Sequence, residues 1–144
     1  MSRATRYDRD LAEQAVRDLA AVTDQQLAAD IRAAAVAALA RVDQLAARGT
    51  WPSAKHDKAT YATLRRAAEQ LAALPADAGP VDVRAAVAPI LGVFWPNSPA
   101  VMLPAHDAIE ELRQAAMHRW ALVRDARWIT GSSPAHGAPG DRPA

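Results

Sequence analysis

Two His-Asp dipeptides, His56-Asp57 and His106-Asp107, are the first residues whose types and spacing could do chemistry. An imidazole beside a carboxylate can help hold a divalent cation in a hydrolytic centre, given further ligands from neighbouring helices. His106 and Glu110 stand one helical turn apart, so both could meet one metal. A catalytic site needs about three protein ligands. His118 falls more than about 100° round the helix from His106, so a third ligand would have to come from elsewhere. Each dipeptide also stands where a helix begins, and there an Asp caps the helix or complements its dipole. Glu110 has a simpler partner in Arg113, three residues on. Capping and ion pairing are therefore the preferred explanation. No metal and no cofactor are expected, and a small helical metal-dependent hydrolase ranks last among the functional readings.

Nucleophilic chemistry has little to work with. The chain has no cysteine, which excludes disulfides and thiolate metal sites. Its serines, Ser2, Ser53, Ser98, Ser132 and Ser133, fall in expected loops or termini, and none sits in a G-x-S-x-G turn. Six glycines without a Gly-rich phosphate motif make a nucleotide cradle improbable. The carboxylates form no repeated E-x-x-H pairs, which disfavours a di-metal site in a four-helix bundle.

Recognition surfaces remain. Lys55, Lys58, Arg65 and Arg66 cluster on one expected helix, with Lys58 and Arg65 beside its packing seam. They give a nucleic-acid-binding alternative, although phosphate binding normally draws on more cations than this. Trp120, Arg124 and Trp128 recur at i, i+4 and i+8, and Trp and Arg are frequent interface anchors. Met117 and Trp128 turn away from the expected core. Phe94, Trp95 and Met102 stand in an uncharged run, Ala85–Ala105, whose prolines rule out a membrane span. The residues named for partner binding are accordingly Phe94, Trp95, Met102, Met117, Arg124 and Trp128.

The elements that must position these groups are helices. The clearest is Asp24–Arg48, preceded by Thr23 and Gln26 in capping-box spacing and followed by Gly49. Its apolar stripe is Leu27, Ile31, Ala34, Ala35, Ala38, Val42 and Leu45, an arc of about 100°. Its centre, Ala33–Ala40, carries no charge on any side, with Val36 and Leu39 pointing off the stripe. Such a helix is either central to a bundle or covered by a second subunit, unless its alanines are there as helix formers that tolerate exposure. A first helix should run from Asp8 or Asp10 to about Val22, after a frayed start, with the stripe Leu11, Ala15, Leu19 and Val22. The short connection at Val22–Asp24 favours an antiparallel pair of helices one and two. A third helix is expected over Asp57–Leu74 with the seam Tyr61, Leu64, Ala68 and Leu71, and Trp51 folded over the core. A fourth, shorter helix is capped by Asp82 and interrupted at Pro89. A last long helix covers about Ala105–Trp128, with Ile109, Leu112, Ala116, Trp120 and Val123 facing inward.

The fold class is therefore all-α: four main helices plus one short or kinked helix. Residues 1–129 are expected to make one helical-bundle domain, and residues 130–144 a disordered Gly/Pro/Ser tail. The 144 residues are 51% hydrophobic but only 5% aromatic, so the core must rest on aliphatic and alanine side chains. Seventeen basic and sixteen acidic residues leave a net charge of +1, with no general pull towards nucleic acid or anionic lipid. The opening MSRATRYDRD has no apolar run of a secretory signal, and a cytoplasmic protein is expected. The first-ranked function is a non-enzymatic protein–protein interaction or regulatory module, as a homodimer or as a subunit of a larger assembly.

Overall fold

The computed structural model describes residues 3–49, 55–93 and 103–131. The protein is all-α, and no strand occurs among the described residues. The order is α1 (Arg3–Ala21), α2 (Asp24–Ala47), α3 (Lys55–Ala73), α4 (Pro80–Leu91), α5 (Leu103–Arg113), a π-helical segment (Gln114–Arg119) and α6 (Trp120–Thr130). Trp51, the Phe94–Met102 connection and the tail beyond Gly131 lie outside the described residues. No described helix is long and apolar enough to cross a membrane. The described chain divides into two compact units: one drawn from Met1–Thr23 with Arg119–Ala144, the other Asp24–His118.

In the Asp24–His118 unit, α2 packs against α3, α4 and α5, and α4 packs against α3 and α5. These three neighbours cover Ala35, Ala38 and Leu39 in the uncharged middle of α2, while Ala33, Val36, Ala37 and Ala40 stay exposed on its open side. Leu27, Ile31, Ala35, Ala38, Val42 and Leu45 are buried as their spacing predicts. Leu39, expected off the stripe, is buried as well, whereas Ala34 is only half-buried. Val36 alone of the large central residues keeps to the open side, 57% exposed. The helix ends at Ala47, and Gly49 takes a φ of +79°, the left-handed closure open to glycine.

The α3 seam buries Leu64 and Leu71, but Ala67 rather than Ala68 is its deepest small residue. Asp82 does not cap α4. The helix starts two residues earlier, with Gly79 at the N-cap and Pro80 in the first turn, where its missing N–H costs nothing. Asp82 then sits in that turn beside the positive end of the dipole. Pro89 does not interrupt α4, which runs on to Leu91. Val83, Val87 and Ile90 are fully buried. Ala105, Ala108, Ile109, Leu112 and Ala116 complete the core of this unit.

The last turns of α1, α3 and α4 contain no basic residue of their own. Arginines from other helices reach their terminal carbonyls instead. Arg32 of α2 donates to the carbonyl oxygens of Leu71 and Pro75, at 3.4 and 2.9 Å. Arg113 of α5 donates to that of Leu91 at 2.7 Å. Arg127 of α6 donates to Val22, just beyond α1. Arg32 adds a second donor to carbonyls that already accept from Leu74 and Ala78, and each arginine places a cation at the negative end of a helix dipole.

The other unit is much thinner. α1 begins at Arg3, ahead of the expected cap at Asp8 or Asp10. Its partner within this unit is α6. Of the expected stripe, Leu19 and Val22 are half-buried, while Leu11 and Ala15 are exposed. Among the described residues of this unit, only Val123 and Ala126 are buried. Trp120, expected in the core, is half-buried, its ring 5.0 Å below the Arg124 guanidinium. α6 continues to Thr130, which donates back to the Ala126 carbonyl at 2.9 Å, and Gly131 closes it at φ +74°.

Candidate functional site

The metal reading gains no geometry. Among the described residues no group of three or more His, Asp or Glu side chains could hold a metal ion. Glu110 pairs with Arg113, as its spacing predicts, and His106 is exposed on the first turns of α5. The side chain of His56 lies outside the described set.

The basic residues of α3 divide. Lys55, Lys58 and Arg66 are exposed. Arg65 is committed within its unit, with Nη1 2.8 Å from the Asp43 carboxylate of α2. Tyr61 donates to the same carboxylate at 3.0 Å. Burial pushes the Tyr61 hydroxyl above its ordinary value of 10.0, and the hydrogen bond and negative charge at Asp43 add to this. Asp43 therefore gathers a phenol and a guanidinium on the α2–α3 boundary, and the cationic face keeps one residue fewer for phosphate.

Of the six residues named for partner binding, Phe94, Trp95 and Met102 lie outside the described residues. The other three fall in different units. Met117 belongs to the Asp24–His118 unit and sits in the π-helical segment, 42% exposed. A π turn accommodates an extra residue and re-aims the side chains around it, and such turns recur at functional sites. Here Met117 borders an open apolar groove of about 480 Å³ along α4, floored by Ala85, Ala88 and Gly92 and walled by Val81 and Leu91, with Arg84 at its edge. A second groove, of about 310 Å³, runs between α2 and α3 over Val36, Leu39, Ala68 and Leu71.

Arg124 and Trp128 lie on α6. Arg124 is occupied with the Trp120 ring and the neighbouring Asp125. Trp128 is 59% exposed. The same unit exposes four more large apolar side chains: Tyr7 (65%), Leu11 (52%), Leu122 (54%) and Ile129 (71%). Every described side chain from Arg6 to Ala15 is exposed, on all sides of the helix. Tyr7 and Leu11 stand at i, i+4 on α1, and Leu122 and Ile129 at i, i+7 on α6, so each pair shares one side of its helix. Sequence reasoning did not single out Tyr7, Leu122 or Ile129. The i, i+4 spacing of Tyr7 and Leu11 was a usable signal, but it reads equally well as a buried seam.

Compared with known proteins, the chain matches no protein-family model, no curated protein and no solved structure.

Proposed function

We propose that this protein is a non-enzymatic helical interaction module. Its Asp24–His118 unit acts as a rigid scaffold and its α1/α6 unit as the recognition element. One observation carries the reading: among its described residues the α1/α6 unit buries only Val123 and Ala126, while Tyr7, Leu11, Leu122, Trp128 and Ile129 remain more than half exposed. Large apolar side chains left exposed on a small unit are a usual mark of a protein contact. An aromatic anchor such as Trp128, with Arg124 beside it, is the kind of residue that dominates binding energy. The nucleic-acid alternative has weaker support, since Arg65 is held by Asp43 and three exposed cations remain.

The test is recovery of the bound component, whether a second untagged copy or another protein, on immobilised protein. The complex is then rebuilt from purified parts. Trp128→Asp and Ile129→Asp are expected to abolish the rebuilt complex, while Lys58→Glu leaves it intact. Undiminished binding by both α6 variants would overturn the reading.

A further inference from the structure

α4 is apolar on two sides. Val83, Val87 and Ile90 face the core and are fully buried. On the open side Val81, Ala85, Ala88 and Gly92 recur at i, i+4, i+7 and i+11, one line along the helix. Val81 is 66% exposed, and Ala85, Ala88 and Gly92 are exposed with it. The small residues keep this line open, and Met117 of the π turn borders the resulting groove of about 480 Å³. Small-molecule sites have this character: an apolar cleft in which very few polar groups fix orientation. Among the described lining residues the only charge is the Arg84 guanidinium. We infer that the α4 groove binds a small amphipathic carboxylate, its chain laid along Ala85, Ala88 and Gly92 and its carboxylate at Arg84. The groove belongs to the Asp24–His118 unit, so this goes beyond the interaction reading above and does not rest on it.

Charge selects the head group. The α2–α3 groove is apolar too, but there Arg65 and Asp43 are paired at 2.8 Å and Arg32 is engaged with the Leu71 and Pro75 carbonyls. No carboxylate lines the α4 groove among the described residues, so its field favours an anion. A guanidinium presents parallel N–H donors that match a carboxylate. One cation balances one carboxylate, whereas a phosphate group, at about −2, would be left half-neutralised. Length selects the chain. From Arg84 to Gly92 the helix rises about 12 Å, the reach of an extended chain of about ten bonds. Surface selects a small molecule over a protein. The groove exposes only two large apolar side chains, Val81 and Met117, too few for the roughly 800 Å² a side of a stable protein interface. Met117 suits a flexible chain, since its unbranched thioether adapts to irregular apolar surfaces. The core side of α4 is already packed, so a ligand enters without displacing Val83, Val87 or Ile90.

The chain has three methionines, Met1, Met102 and Met117, so isotope labelling of methionine methyl groups puts an NMR reporter in the groove. The Met117 resonance is assigned by its loss in Met117→Leu. Decanoate, added to the full chain below its micelle concentration, should shift that resonance saturably. Decanol has the same chain without the charge and should bind about fivefold more weakly, the worth of an exposed ion pair. Arg84→Gln should erase that preference. Ala88→Leu fills the groove from an exposed position and should abolish binding of both probes. Ala85→Leu, one turn earlier, repeats the test, and thermal unfolding shows which of the two is folded. Val36→Asp, in the α2–α3 groove, should leave both affinities unchanged. The inference is overturned by the absence of a saturable shift at Met117, or by equal affinities of the wild type for decanoate and decanol. It is equally overturned by a preference that Arg84→Gln leaves intact, or by binding that survives in the folded leucine variants.

Discussion

α1 and α2 make the instructive comparison. Judged by pattern alone, α1 is the more sharply amphipathic helix, and α2 is weakly so because alanine lines every side of its middle. In the fold the order reverses. α2 buries eight residues and anchors three neighbouring helices, while α1 has no described side chain that is fully buried. Amphipathicity states which side of a helix is able to be covered. The number of neighbours decides whether it is. Small alanine side chains let three helices approach α2 at once, and a helix with one partner leaves part of its apolar side open however regular the pattern.

The largest test of that contrast is in the core. Ile31→Ala or Leu64→Ala should each cost about 3 kcal/mol, because both side chains are fully buried and leave a cavity. Leu11→Ala, measured in dilute protein by denaturant unfolding, should change stability by less than about 0.5 kcal/mol. Equal losses at the two positions would erase the distinction between the units. Next come the arginines that close other helices. Arg32→Met keeps the apolar stem and removes the donors to Leu71 and Pro75, and should cost about 1 kcal/mol. Faster amide exchange should appear at the end of α3 and not in α1.

Amide exchange also sharpens the comparison without mutation. Amides of Arg6–Ala15, exposed on all sides, should open with a free energy near zero in dilute protein, and those of Ile31–Val42 only with global unfolding. The smallest effect is at Tyr61. Its hydroxyl titrates above 10.0 in the folded chain, through burial and then its bond to Asp43. The unfolded chain therefore releases that proton first as pH rises. The stabilisation is complete below about pH 10 and is lost as pH climbs through the raised value. Tyr61→Phe should flatten this alkaline limb in a pH series of thermal unfolding.

Much of this was legible in the residues. The all-α class, α2 with its start at Asp24 and its stop before Gly49, and the inward Val83, Val87, Ile109 and Leu112 follow from period, capping and glycine alone. The Glu110–Arg113 pair follows from helical spacing. The start of α4 did not, because Gly79-Pro80 competes with Asp82 as a boundary and proline fits a first helical turn without a side-chain cap. The π-helical segment left no mark in the sequence, since Gln114–Arg119 is composed of residues equally at home in an α-helix. At the candidate site, Met117 and Trp128 were readable as outward from the helical wheel. Ile129 and Leu122 were not, because an aliphatic residue on a helix signals burial by default.

The sequence by itself determined where backbone hydrogen bonds close locally: helix type, most ends, and which residues share a side. These depend on neighbours within about one turn. Tertiary structure alone decided that α1 pairs with α6, that arginines from α2, α5 and α6 close the ends of other elements, and that Asp43 gathers Tyr61 and Arg65. Those contacts join residues far apart in the chain, and the choice among many equally apolar sides is made by which ones fit together, a property no single stretch contains.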